Sequence, residues 1–195
     1  LCIHNCRKEA RYKKSKQLYM QTWHGFALKR IEKDAINTFP SYYEAFAKRD
    51  SAFCDVIVSD SAFMTQIYRN SFWYDGEIAE FGAPRNDALL AADTHCMQKV
   101  RQELGLPENC RTVLYAPTFR ADLSLDAYCL DYQRLRQACQ QRFGGTWVVL
   151  IRLHPNIMQQ ASQLDFDGKT VFNATAYQDM QELLTAVDAV VSDYS

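Results

Sequence analysis

Apolar runs of strand length recur along this chain, and stretches with helical spacing lie between them. Val56-Ile57-Val58, Thr112-Val113-Leu114-Tyr115-Ala116, Trp147-Val148-Val149-Leu150-Ile151 and Ala189-Val190-Val191 carry almost no polar residue. A strand with one wet face alternates apolar and polar side chains; a strand that is apolar at consecutive positions is covered on both faces. The intervening segments have a different period. Phe63, Met64, Ile67 and Tyr68 fall three and four residues apart, as do Met180, Leu183 and Leu184. Strands of this kind alternating with helices predict an α/β fold built on parallel sheets.

The punctuation agrees. Strands are expected over residues 17–23, 54–59, 77–81, 112–116, 147–153, 170–172 and 189–192. Ser41, with Glu44 three residues on, reads as a capping box for a helix whose apolar side is Tyr42, Tyr43, Phe46 and Ala47. Asp60 or Ser61 caps the next helix. Asp93 opens one that stops at Gly105 with Pro107 beyond, and Asp131 opens one closed by Gly144-Gly145. Residues 1–16 show no clear period, and residues 119–130 read as loop. Asp55-Val56-Ile57-Val58-Ser59-Asp60 echoes Asp188-Ala189-Val190-Val191-Ser192-Asp193; two similar halves would produce this echo, and so would chance. With 195 residues the chain holds one ordinary domain or two small ones. The division is expected near residues 105–111, giving domains 1–107 and 108–195. The first residue is Leu1, and Ser195 falls just after a strand, so the chain reads as a piece of a longer protein, cut at both ends.

A formal net charge of −1 gives no general case for nucleic acid. The cations are uneven: Arg7, Lys8, Arg11, Lys13, Lys14 and Lys16 crowd the start. They form either a solvated loop or a patch for an anionic membrane surface or a phosphate-rich acceptor. None of the seven cysteines forms Cys-x-x-Cys, which fits a reduced cytoplasm, and Cys54, Cys129 and Cys139 sit in apolar patterns as small buried residues. No apolar run is long enough to span a bilayer, and no signal peptide is visible.

Two strand ends deliver a histidine. Gln21-Thr22-Trp23-His24-Gly25 follows the first expected strand, and Arg152-Leu153-His154-Pro155 closes the fifth. Ligands of open α/β sheets bind beyond the carboxyl ends of the strands. His24 has a wall in Trp23 and room for close approach at Gly25, and an imidazole there can take a proton from a hydroxyl. Arg152 and His154 are two apart, so within a strand they share a face and can meet one anion. Thr118, after Ala116-Pro117, and Ser192-Asp193-Tyr194-Ser195 place hydroxyls and amides where anions bind or helices are capped. Arg85 lies in the tight turn Gly82-Ala83-Pro84-Arg85-Asn86-Asp87. There is no phosphate-binding lysine loop, no Gly-x-Gly-x-x-Gly and no zinc spacing.

In series, Gln21-Thr22-Trp23-His24-Gly25 with Leu28-Lys29, Phe81 through Asp87, Leu114 through Arg120, Arg152-Leu153-His154-Pro155 and Asp188 through Ser195 resemble the CDP-glycerol glycerophosphotransferase family, the teichoic-acid primases and polymerases. The resemblance runs in the family's order from Lys16 onward. It implies a GT-B architecture of two Rossmann-like domains, with transfer of an alditol phosphate from CDP-glycerol or a related donor to a hydroxyl of a lipid-linked glycan or polyol-phosphate acceptor, releasing CMP. It implies His24 as the base and His154 in the donor phosphate site. Arg152, Thr118, Asp193 and Ser195 would line or shape that site; from the residues alone, Trp23 and Gly25 flank His24, and Arg85 either orders the cleft or only joins its loop to the next helix. The resemblance implies no bound organic cofactor, and the sequence shows no dedicated metal ligands. The implied location is the cytoplasmic face of the plasma membrane, peripherally bound. The chain departs from the family at Phe26-Ala27, where a small hydroxyl residue and proline are common, and at Phe119, where tryptophan is frequent. The family's last motif also continues past Ser195. A GT-B glycosyltransferase using a nucleotide-sugar, or a non-catalytic nucleotide-binding fragment, are the competing readings.

Overall fold

The computed structural model describes residues 1–7, 13–91 and 93–193. They form two compact units, Leu1–Pro84 and Arg85–Ser195. Each is organised around its own four-stranded, fully parallel sheet.

In the first unit the strands β1 (Cys2–His4), β2 (Tyr19–Gln21), β3 (Val56–Ser59) and β4 (Glu77–Glu80) lie side by side in chain order. Helix α1 (Tyr43–Phe53) leads into β3, and α2 (Ala62–Ser71) connects β3 to β4. Met64, Tyr68 and Phe72 from α2 and its end pack with Ile57 and Tyr74 as a buried cluster. Ser61 caps α2 as expected, its Oγ accepting the Met64 N–H. The start of α1 differs from expectation. It begins at Tyr43 without a side-chain cap, because the Pro40 carbonyl takes the Tyr43 N–H at 2.9 Å and closes the first turn without Ser41. Tyr42 therefore falls outside the helix and is exposed. Strand β1 lies in the stretch where no period was legible; three residues are too few to display one.

In the second unit the order is β7-β6-β5-β8: Val171–Asn173, Thr146–Ile151, Cys110–Tyr115 and Ala189–Val191. Around them lie α3 (Asp87–Leu90), α4 (Thr94–Glu103), α5 (Tyr132–Phe143) and α6 (Met180–Thr185), with a 3-10 segment at Pro155–Gln163. The apolar runs are explained by two cores. Leu114, Val148, Leu150 and Phe172 face one side with Val100 and Leu183. Val113, Trp147, Val149, Ile151 and Val171 face the other with Tyr128 and Cys139. Alternate residues of each strand thus enter opposite cores. Asp93, Asp131 and Asp179 each cap a helix through a carboxylate that accepts first-turn N–H groups.

The units meet at Pro84–Arg85, earlier than the division expected near residues 105–111. Helix α4 is the reason: its Val100, fully buried, belongs to the same core as Leu114 and Leu183. Cys139 is buried and Cys54 half-buried, whereas Cys129 is exposed just past the short 3-10 turn Asp126–Tyr128. All seven cysteines are free thiols.

Candidate active site

The order 7-6-5-8 reverses direction between β5 and β8, and the carboxyl end of that junction is where open α/β sheets bind ligands. The loops after β5 and β8 are tied together there. Thr118 donates its N–H and its hydroxyl to Asp193 Oδ1, at 2.7 and 2.5 Å. Arg120 Nη2 reaches Asp193 Oδ2 at 3.0 Å, while its Nη1 donates to the Thr118 carbonyl. Ser192 Oγ donates to the Ala116 carbonyl. The structure therefore brings Thr118 and Asp193 together, and Arg120 joins them.

Beyond β6, Leu153 turns into the core and the chain is held by its neighbours. The His154 N–H donates to the buried Tyr128 hydroxyl, which donates to the Pro117 carbonyl at 2.9 Å. His154 Nδ1 accepts the Asn156 N–H at 3.2 Å. In the neutral ring that bond leaves the proton on Nε2, so this nitrogen is a donor. The face of the ring lies against Phe119, with centroids 4.5 Å apart. Arg152 goes elsewhere. Its Nη1 and Nη2 donate to the carbonyls of Tyr177 and Gln178, at 2.6 and 3.1 Å, in front of α6. Burial lowers its pKa from the ordinary guanidinium value, with the Asp179 charge opposing. The expectation that Arg152 and His154 share one face does not hold, because β6 stops at Ile151 and strand periodicity stops with it. Arg152 joins the β6 loop to the β7 side, and His154 joins it to the β5 side.

In the first unit the segment after β2 turns sharply at Trp23, whose φ is +54°. The Trp23 N–H donates to Gln21 Oε1 at 2.9 Å. The indole meets Phe72 edge-on at 4.8 Å and stacks on the His24 imidazole at 4.4 Å. His24 is exposed, Trp23 and Gly25 half-buried. Two residues on, the Ala27 N–H points at Met64 Sδ, and the Phe26 ring stacks on Phe63 at the start of α2.

Other candidates fall apart from these groups. Arg85 is exposed in the turn that leads into α3, and among the described residues no bond links it to the Thr118–Asp193 cluster. Ser195 lies outside the described residues, as do Lys8 and Arg11. The basic start is less of a patch than it reads. The Arg7 side chain is 5% exposed and paired with Glu32 and Asp50, and Lys13 binds Asp55 at 2.5 Å. Arg7, Arg120 and Tyr128 were not singled out from sequence as site residues. Of these only Arg120, adjacent to Phe119 in a quoted motif, carried any signal. Among the described residues no helix is long and apolar enough to cross a membrane.

Known proteins bear on this geometry. The family described as CDP-Glycerol:Poly(glycerophosphate) glycerophosphotransferase matches over residues 2–195. A teichoic acid poly(glycerol phosphate) polymerase of Staphylococcus epidermidis is 34% identical over 94% of this chain and 27% of its own length. A teichoic acid glycerol-phosphate transferase of Staphylococcus aureus is 31% identical over 94% of this chain and 49% of its own. A solved variant of the wall teichoic acid polymerase TagF superposes with a TM-score of 0.77 at 29% identity, covering 99% of this chain and 49% of that one. The chain thus spans between about a quarter and a half of the length of these relatives. With the Trp-His-Gly and Arg-x-His-Pro segments each at the carboxyl edge of a parallel sheet, the chain belongs to the CDP-glycerol:poly(glycerophosphate) glycerophosphotransferase family.

Proposed function

We propose that the protein to which this chain belongs transfers glycerol phosphate, or a related alditol phosphate, from a CDP-alditol to a hydroxyl of a membrane-linked acceptor in teichoic-acid-like polymer synthesis. The family match over residues 2–195 carries this reading. A structure of the TagF H444N variant soaked with CDPG, 30% identical to this chain, supports the donor. In the proposed GT-B arrangement, Leu1–Pro84 serves the acceptor and Arg85–Ser195 the donor nucleotide, with the enzyme at the cytoplasmic face of the membrane.

The exposed imidazole of His24 takes the proton of the acceptor hydroxyl. That oxygen attacks the donor phosphorus nearer the alditol. The new P–O bond forms as the bond to the CMP oxygen breaks, and CMP leaves with the electron pair. His154 donates a hydrogen bond from Nε2 to a phosphate oxygen, since Nδ1 is occupied by Asn156. Arg152 shapes the site by fixing the loop in front of α6. Arg120 offers the remaining guanidinium charge beside Thr118 and Asp193. Positioning and electrostatics supply most of the acceleration in such transfers.

The test is donor choice. The full-length protein, given a lipid-linked polyol-phosphate acceptor, is expected to release CMP from CDP-glycerol or CDP-ribitol and to leave UDP- and GDP-sugars intact. Release of UDP or GDP instead would establish the glycosyltransferase reading. Tight CDP-glycerol binding without transfer to any acceptor would establish a binding module.

A further inference from the structure

A buried arginine stands behind the Trp23-His24 loop. Arg7 donates from Nε to Glu32 Oε2 at 2.9 Å and from Nη1 to Ser51 Oγ at 3.0 Å and Asp50 Oδ2 at 3.3 Å. Its Nη2 donates to the Phe72 carbonyl at 3.0 Å. Glu32 and Asp50 are 2% and 1% exposed. The Tyr43 hydroxyl donates to Glu32 Oε1 at 2.6 Å. Among the described residues no buried side-chain nitrogen or oxygen lacks a hydrogen-bond partner.

Two routes lead from this cluster to Trp23. In the first, the Tyr19 hydroxyl donates to Asp50 and accepts from Gln21 Nε2 at 2.9 Å. Gln21 Nε2 also donates to the Cys6 carbonyl, and its Oε1 takes the Trp23 N–H. In the second, the Phe72 carbonyl accepts from Arg7 and from Ser51, and the Phe72 ring lies 5.1 Å from the guanidinium. The Trp23 indole rests edge-on against that same ring. Trp23 is thereby fixed at its backbone and at its ring, and His24 is stacked on it.

Energetics say what such a cluster is for. Taking a guanidinium and two carboxylates out of water costs several kcal/mol per ion, and apolar residues of equal volume often stabilise a core as well or better. The contribution left is geometric. Trp23 and Glu32 both hold φ of +54°, a conformation that costs a side-chain-bearing residue roughly 1–3 kcal/mol and persists only where the surroundings over-determine it. We propose that the Arg7–Glu32–Asp50 cluster is a positioning device for His24, acting through Gln21 and Phe72. This inference rests on the reading of His24 as the base. A displacement of about 1 Å at such a group costs on the order of a hundredfold in rate.

The experiment compares Arg7→Lys, which keeps the charge and loses the fork, with Gln21→Met, which keeps the volume and breaks the amide route. Nuclear Overhauser contacts between the His24 ring and the Trp23 indole are read in the intact chain. CMP release is measured in the full-length protein beside a His24→Ala control. Both variants are expected to lose the ring contact and to lower kcat at least about tenfold, with the KM for CDP-glycerol within about twofold. A merely structural loss would not split kcat from KM in that way. If Arg7→Lys does not fold, Gln21→Met decides alone. A ring contact kept at wild-type intensity, or wild-type kcat in an enzyme that His24→Ala inactivates, overturns the inference. Near-normal turnover by His24→Ala would instead remove the base assignment, and the ring contact would still decide whether the cluster positions His24.

Discussion

His154 is a donor by virtue of one backbone amide. Because Asn156 N–H occupies Nδ1, the ring offers Nε2–H outward, and a glutamine can present a similar N–H. His154→Gln is therefore expected to keep more turnover than His154→Ala, which should lose about 10²–10³ in kcat, the usual cost of deleting one transition-state donor. CMP release by the two variants checks the order; equal losses would argue for a proton-transfer role. A second residue-scale outcome concerns thiols. Burial pushes the Cys54 thiol up to about 11, whereas Cys129 is exposed. Alkylation at pH 8 followed by mass spectrometry should label Cys129 well before Cys54. Sequence placed His24 and His154 at strand ends because the apolar runs before them are legible. It did not place Arg7, since one arginine among many cations carries no mark of burial, and it set Arg152 beside His154 by extending strand periodicity past the point where β6 ends.

At the scale of elements, the aspartate caps at 93 and 131 and most strands were readable, whereas the three-residue β1 and the uncapped start of α1 were not. Asp131→Ala should cost about 1 kcal/mol in urea unfolding, as the Arg134 N–H loses its acceptor. The echo between residues 55–60 and 188–193 has a structural meaning in both units. Asp55 Oδ2 takes the Tyr19 N–H, and Asp188 Oδ2 takes the Thr112 N–H, so each aspartate precedes a strand and pins it to its neighbour. Lys13 and the Tyr19 N–H hold the Asp55 carboxyl below its usual 3.8. The stability this contributes is present above that value and is lost as pH falls through the lower folded-state pKa. Asp55→Asn is expected to flatten the dependence of unfolding free energy on pH below about 4, read by urea titration at successive pH values. An unchanged slope would mean that Asp55 does not stabilise the fold through its charge.

For the whole molecule, strand-helix alternation made the α/β class and the parallel sheets legible, and the order of five short motifs made the family legible. The limit between units was not, because nothing in the spacing of α4 says which sheet its Val100 will cover. In the transfer proposed above, the exposed imidazole of His24 accepts the proton of the acceptor hydroxyl. The most direct test is single-turnover CMP release from CDP-glycerol by the full-length protein carrying His24→Ala, with donor affinity measured by calorimetry. The account predicts a loss of at least about a hundredfold in rate with donor affinity within about twofold of wild type. Turnover near the wild-type rate would contradict it.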